Sequence, residues 1–518
     1  MTMIDIARPG SLAFALIPDF IVMGGAMVLL MLAALRPEGQ GHQRSVAIGA
    51  LLVCALGAAA AIVFAVNDPM ATEGMIAVDR FRWFVDVVLL AATAASIALM
   101  GLRGDARTSP SAEAYVLLLL AAGGMMLLAA ARDLIIVFLG IETMSVATYV
   151  LAAFNRRSAR SAEAGLKYFL LGSFSTGFLL YGIALVYGAT GSTQLGEIAT
   201  RVADPAVAGS AMLLVGLALL IVGFGFKVAA APFHMWTPDV YDGAPLPITA
   251  FMATAVKAAA FAAFLRVALA LSQTMPFGTA SLVKWHLGLW WIAVATMVVG
   301  NVVALAQKSV KRMLAYSSIA HAGYLLVPIV TNTPGSTPSL LFYLAAYTLA
   351  TLGAFAVVSA VSNDETGAPL TDFAGLFRDR PGLALAMAVC LLALLGFPLA
   401  GGAGFFAKYF VLVAARQAGQ SYLAIALVVT SVISAGYYLA VVAQMFMRPR
   451  RDDAPARLAV PRSSAWVAYG AAVLLLVLGV YPTPLLDWAR ASMPVATSQR
   501  AVAPAIAPPE SFLVPTAQ

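Results

Sequence analysis

Residues 223–236 read GFGFKVAAAPFHMW, and residues 396–408 read GFPLAGGAGFFAK. Each sets a lysine, Lys227 or Lys408, beside helix breakers inside a long apolar stretch. Pro232 lies five positions after Lys227; it has no backbone donor and clashes with the preceding turn, so the helix should break there. Pro398, Gly401, Gly402 and Gly404 should break the second helix just ahead of Lys408. Broken helices at membrane depth persist only where protein or water satisfies the freed backbone groups. Two of them, one in each half of a chain, point to the central site of a transporter-like fold and to inverted repeats.

The composition agrees with a membrane setting. Of 518 residues, 62% are apolar and 11% charged, too few charges to cover a soluble core of this size. Repeated apolar runs of about 20 residues each suffice to cross roughly 30 Å of hydrocarbon. The chain therefore reads as an all-α polytopic membrane protein. Its start, MTMIDIARPG, lacks a basic n-region, and the first apolar run is too long for a signal peptide, so no cleavage is expected. Cys54 and Cys390 fall in apolar spans, two thiols cannot hold an iron–sulfur cluster, and His42, His234, His286 and His321 show no ligand spacing. No GxGxxG or GxxxxGK[ST] offers a seat to a dinucleotide or ATP. The expectation is a chain with no metal and no redox cofactor of its own.

Fourteen spans are predicted, near 11–35, 44–66, 83–102, 113–131, 134–154, 165–190, 208–231, 244–272, 287–306, 313–331, 338–361, 383–415, 421–446 and 465–487. The net charge of +7 suggests topology rather than nucleic acid, because the basic residues are so unequally distributed. The even-numbered connections hold Arg80, Arg82, Arg132, Arg201, Lys284 and Arg416, whereas the odd-numbered ones carry three times as many. By the positive-inside rule the odd connections face the cytoplasm and both termini lie outside. Lys227 and Lys408 are 181 positions apart, close to the offset between the spans opening near 113 and 287. Spans 4–8 and 9–13 thus form two five-helix units, and an odd number of helices makes consecutive units inverted. The expected organisation is three N-terminal helices (1–110), a first repeat (111–275), a second repeat (280–447), a cytoplasmic loop with the last helix (448–490), and a periplasmic tail (491–518) that is Pro/Ala-rich from Ala501.

Candidate functional residues are the charges that span depth leaves unexplained. Each ammonium at the centre of a membrane helix costs roughly 2.5–3.5 kcal/mol on insertion scales, and Lys227, Lys257 and Lys408 all lie deep. Glu142 is nine residues past Asp133, about 13 Å into the membrane at helical rise, and reads as the only carboxylate at equal depth. Burial makes an ammonium easier to deprotonate and a nearby carboxylate opposes this, so a carboxylate that moves or is resolvated can switch a buried lysine between holding and releasing a proton. Proton translocation through Glu142, Lys227, Lys257 and Lys408 is the chemistry this set suits. His234 fits either a relay or a hydrogen-bonded packing role, and so does His321, set between Ser317, Ser318 and Tyr324. Asp239 and Asp242 fit either a cytoplasmic mouth or a solvated loop.

The stretches GFGFKVAAAPFHMWTPDVYDGAPLPITAFMATAVKAAAF, KRMLAYSSIAHAGYLL, FYLAAYTLATLGAFAVV and GFPLAGGAGFFAKYFVL carry a resemblance over nearly the whole chain to the antiporter-like membrane subunits of bacterial respiratory complex I. The likeness is strongest to the branch termed subunit N, which has a lysine in the twelfth span where subunit M has glutamate. The longer subunit L ends in a lateral helix that this chain lacks. The resemblance implies fourteen helices, Glu142 and Lys227 as a coupled pair, Lys257 as the link between half-channels, and Lys408 as the twelfth-span residue. It also implies partner membrane subunits and a peripheral NADH-oxidising arm that carries FMN and iron–sulfur clusters. The alternative is a subunit of a multi-subunit cation/proton antiporter, which shares the broken helices and buried lysines. The break before Lys408 resembles a version about two residues longer than the shortest in the family.

Overall fold

The computed structural model describes residues 2–3, 9–35, 40–70, 74–101, 111–272, 280–362, 368–398, 401–450 and 459–494. Its spans are Ile17–Leu35, Gln40–Asn67, Arg80–Gly101, Ala112–Ala129, Leu134–Ala152, Ala159–Thr190 and Ala211–Val228 in the first half. The eighth runs from Leu246–Phe251 through a π-helical turn, Met252–Val256, into Lys257–Ser272. Then come Ala280–Leu305, Val310–Thr331, Ser336–Val361, a twelfth span in two pieces (Pro381–Leu395 and Ala403–Gln417), Ser421–Met447 and Arg462–Val480. Thirteen of these are long and apolar enough to cross a membrane, and the twelfth is interrupted as its prolines and glycines require. Among the described residues the only sheet is Thr2–Met3 paired in parallel with Pro69–Met70.

Helix ends follow local chemistry. Asp133 caps the fifth span by accepting from the Ile135 N–H at 2.7 Å, and Ser309 caps the tenth by accepting from the Arg312 N–H at 3.2 Å. The packing repeats between halves. The fourth span packs on the fifth and the ninth on the tenth; the sixth packs on the seventh and the eleventh on the twelfth; the eighth packs on the fourth and the thirteenth on the ninth. The eighth, tenth and eleventh spans are almost wholly enclosed by protein, whereas the first, second, thirteenth and fourteenth leave most of their surface open. The outer helices therefore present apolar side chains such as Met31, Leu52, Val432 and Trp466 outward. The centre of the molecule is where polar groups need partners.

Three expectations need correction. Arg82 is not a loop residue: the third span begins at Arg80, and Arg82 is fully buried. Lys311, one of the basic residues counted in the odd-numbered connections, is likewise buried, at the start of the tenth span, and its ammonium donates at 2.7 Å to the carbonyls of Asp242 and Ala244. Glu142 is not the only deep carboxylate, and it is not the most enclosed: Asp86 in the third span and Asp19 in the first are buried, whereas Glu142 is partly buried. Each of the two aspartates pairs with an arginine near a span end, a placement that counting residues from the span boundary cannot reveal. The sequence reading also passed over the π-helical turn and the short connecting helices Leu195–Val202, Trp236–Gly243 and Thr483–Ala491. The tail from Ala501 and most of the loop 448–462 lie outside the described residues, as do positions 399–400 of the second break.

Candidate functional site

The two breaks build similar settings for their lysines. The seventh span ends at Val228, Ala229 adopts a left-handed conformation (φ 62°), and the backbone turns away before Pro232 is reached. The groups this frees are satisfied by protein. Ala231 N–H donates to Thr296 Oγ1 of the ninth span at 2.9 Å, Ala230 N–H to the Gly225 carbonyl at 2.7 Å, and Trp236 Nε1 to the Phe226 carbonyl at 3.1 Å. Lys227, the penultimate helical residue, thus sits at a helix C-terminus, where the macrodipole favours a cation. Its ammonium donates to Ser145 Oγ at 2.8 Å and Tyr149 OH at 3.3 Å, both from the fifth span.

The twelfth span closes its first half at Leu395, followed by Gly396 at φ 76°. Gly396 faces the Lys408 side chain so closely that a Cβ there would stand 2.7 Å from Lys408 Cδ. Gly404 lies against the first half, where a Cβ would meet the Ala393 carbonyl oxygen at 1.9 Å. Lys408 Nζ reaches back to donate to the Leu395 carbonyl at 2.9 Å, and also to Ser431 Oγ at 3.1 Å. It therefore occupies a helix C-terminus as well, that of the other half-helix. Lys227 precedes its break and Lys408 follows its own, so the two repeats deliver an ammonium to equivalent helix ends from opposite sides. Lys408 is buried, and its ammonium lies 4.6 Å from the centre of the Tyr324 ring, so it does not snorkel to a surface.

Around the tenth span lies a further polar group. Lys257, buried just after the π-helical turn, donates to the Ser318 carbonyl of the tenth span. One turn on, His321 is held between two hydroxyls: Tyr343 OH at 2.8 Å from Nδ1 and Tyr438 OH at 3.2 Å from Nε2. Tyr438 OH also bonds Ser317 Oγ. Both Lys257 and Lys408 lie within electrostatic reach of His321. A small cavity lined by His321, Tyr343, Tyr347, Leu394, Gly404 and Ala407 opens beside it, next to the second break. Asn301 completes the surround, donating to Tyr324 OH and accepting from Tyr437 OH, each at 2.9 Å.

Glu142 stands apart from this chain of contacts. Its carboxylate acts on Lys227 electrostatically, but among the described residues no ion pair within 4 Å joins them, and Glu142 Oε1 is buried without a hydrogen-bond partner. Nor does a hydrogen bond join Lys227 to Lys257. His234 is half-buried in the seventh-span break with its Nδ1 unpartnered, and it bonds none of the lysines. Asp239 and Asp242 lie on the connecting helix Trp236–Gly243 and are ion-paired rather than merely solvated. Asp239 accepts from Lys167 at 2.9 Å and Arg312 at 3.0 Å, and Asp242 pairs with Arg160. Burial pushes the Asp239 carboxyl up, but the bonds from Lys167 and Arg312 outweigh it and hold the group below the usual carboxylate range.

The sequence reading missed Ser145, Tyr149, Asn301, Tyr343, Ser431 and Tyr438. Hydroxyls and amides occur throughout apolar helices, and only the fold reveals which of them face a lysine. Among the described residues no group of three or more His, Cys, Asp or Glu side chains could hold a metal ion.

This arrangement of broken helices and enclosed ammonium groups defines an antiporter-like membrane protein, and comparison with known proteins agrees. Residues 131–434 match the family model described as NADH:quinone oxidoreductase/Mrp antiporter, transmembrane. NADH-quinone oxidoreductase subunit N of Gemmatimonas aurantiaca is 49% identical, with 94% of each chain covered. The subunit N of Trichlorobacter lovleyi is 43% identical over 80% of this chain and 84% of that one. A chain of respiratory complex I from Thermus thermophilus superposes with a TM-score of 0.78 at 40% identity, covering 92% of this chain and all of that one. A chain of the Mrp complex from Dietzia sp. shares the fold, with a TM-score of 0.79 at 20% identity over 92% of this chain and 97% of that one. The chain belongs to the NADH-quinone oxidoreductase subunit N family.

Proposed function

We propose that this chain is a proton-translocating membrane subunit of a bacterial NADH:quinone oxidoreductase, driven by electron transfer in partner subunits and holding no redox centre itself. The FMN and iron–sulfur clusters belong, on this reading, to the peripheral arm. The observation that supports the proposal is the set of four buried titratable groups, Lys227, Lys257, His321 and Lys408, with Lys227 and Lys408 at helix breaks. Glu142 sets the charge state of Lys227 through space, and Ser145 and Tyr149 hold the ammonium in place. Lys257 and His321 pass the charge toward Lys408, whose amine releases it. The tyrosine hydroxyls on both nitrogens of His321 let the imidazole exchange its proton without rotating. His234 is a lesser candidate, since no contact ties it to the set.

In the orientation the basic loops favour, both termini are periplasmic, in the inner membrane, and the Asp239–Lys167–Arg312 cluster lies at the cytoplasmic face. Purification from native membranes tests the assignment. Recovery of the chain with flavin- and iron–sulfur-bearing subunits, in a particle that acidifies vesicles on addition of NADH, is the expected result. Recovery in a particle lacking those subunits and exchanging cations for protons would replace it with the antiporter reading.

A further inference from the structure

A second buried charge cluster lies away from the lysine set, where the first, third and eighth spans meet. Asp79, Arg82 and Asp86 come from the third span and the turn before it, Asp19 from the first span, and Arg266 from the eighth; all five are buried. Arg266 takes Asp79 in a two-pronged pair, Nη1 to Oδ2 at 2.8 Å and Nη2 to Oδ1 at 2.7 Å, while its Nε donates to the Ala129 carbonyl at 2.9 Å. Arg82 gives Nη2 to Asp19 and Nη1 to the carbonyls of Ala15 at 3.2 Å and Ala77 at 3.1 Å, and its backbone N–H donates to Asp79 Oδ1 at 2.9 Å. The two guanidinium groups are thereby matched by Asp19 and Asp79.

Asp86 is the third carboxyl. It is fully enclosed, neither of its oxygens has a hydrogen-bond partner, and its nearest cation is Arg82 Nε at 3.5 Å, already engaged elsewhere through its other nitrogens. The third span packs against the second, fourth, eighth, eleventh and fourteenth spans and the helix Thr483–Ala491. The charged groups acting on Asp86 from all of these, and from the first span, are Arg82, Asp19, Arg266 and Asp79. Ionised, Asp86 would leave the cluster with three negative charges against two positive, with no hydrogen bond to either oxygen and Arg82 Nε, at 3.5 Å, as its one close cation. A buried carboxylate with no hydrogen bond to its oxygens and a share in only one guanidinium costs several kcal/mol, whereas the neutral acid costs far less.

We propose that Asp86 is a proton-binding site outside the lysine set, carrying its carboxyl proton at neutral pH. The ligand is the proton itself, and the site lies at the junction of the three N-terminal helices with the first repeat. Arg266 is nine residues beyond Lys257 on the same helix, about 13 Å at helical rise, so the cluster abuts the helix that carries the central lysine. Loss of the Asp86 proton would set a third carboxylate in competition for the guanidinium groups that tie that helix to the N-terminal bundle.

Infrared difference spectroscopy on the purified complex at neutral pH tests this. Wild type minus Asp86→Asn is expected to show a protonated-carboxyl C=O band that shifts to lower frequency in D2O, and Asp86→Glu is expected to move that band without removing it. Loss of ionised-carboxylate stretches in Asp86→Asn, with no change in the protonated-carboxyl region, would overturn the proposal. If the asparagine variant does not assemble, wild type minus Asp86→Glu decides by the same criterion: displacement of a protonated band supports the site, and displacement of ionised bands refutes it.

Discussion

Lys227 and Lys408 each rest at the C-terminus of a half-helix, and this placement explains how an ammonium can be held at membrane depth without an ion pair. The carbonyl end of the helix, with hydroxyl acceptors at Ser145 or Ser431, supplies partial negative charge that does not itself titrate. Such a lysine can gain or lose a proton without stranding a full counter-charge. Lys408→Arg should therefore assemble poorly or pump poorly, because a guanidinium stays protonated to about pH 12 or above and its bulk must pass Gly396. Near-normal NADH-driven pumping by an assembled Lys408→Arg complex would show that this position need not release a proton. On the proposed mechanism Glu142 acts through space rather than through a bond, so Glu142→Asp, which keeps the charge, should be milder than Glu142→Gln. Proton uptake rates in inverted vesicles containing each variant check the order. The residues that carry charge were legible in the sequence because lysines and a glutamate stand out in apolar runs. The Asp86 cluster was not, since Asp79, Arg82, Asp86 and Arg266 are within reach of a predicted span end, where an ordinary surface charge would also sit, and Asp19, eight residues into the first predicted span, was passed over.

At the scale of the helix, the breaks were legible from Pro232 and from the glycines near 401, but their geometry was not. The seventh span turns at Ala229, before the proline, because Thr296 and Trp236 are placed to satisfy the freed backbone. The second break depends on close approach between its two halves. Gly404→Ala would force a methyl group onto the Ala393 carbonyl, and overpacking of this kind costs roughly 1–3 kcal/mol. Thermal unfolding of the purified complex should show the loss, and an unchanged transition would mean the halves can separate freely. The π-helical turn before Lys257 left no signal in MATAV, whose residues are all compatible with an ordinary helix. The connecting helix Trp236–Gly243 is clamped by Asp239 to the sixth and tenth spans. Because the Asp239 carboxyl is held below its ordinary value near 3.8, this clamp is fully present above that pH and is lost as pH falls through the lower folded value. Asp239→Asn should weaken the assembled protein by about 1 kcal/mol at neutral pH, as two partly exposed ion pairs warrant, and the difference should close in strong acid. A melting series from neutral to acid pH, with wild type and variant side by side, measures it.

For the whole molecule, the span count, the two interrupted helices and the repeated packing were all within reach of the sequence, because hydropathy and the spacing of breakers report directly on membrane crossing. What it could not report is which helices lie inside. The eighth, tenth and eleventh spans are no more apolar than the first and second, yet they are the enclosed ones, since enclosure depends on contacts distant in sequence. Orientation remains tied to the basic loops: a cysteine placed at Arg157 should resist an impermeant reagent applied to intact cells and react once the cytoplasmic face is opened. Labelling from outside would reverse the direction assigned to the proton path. The central claim is that the buried amines move protons, and Lys227→Ala tests it most directly. In assembled complex reconstituted into vesicles, the variant is expected to lose most NADH-driven proton translocation, with quinone reduction falling alongside it through tight coupling. Full proton translocation by an assembled Lys227→Ala complex would contradict the account.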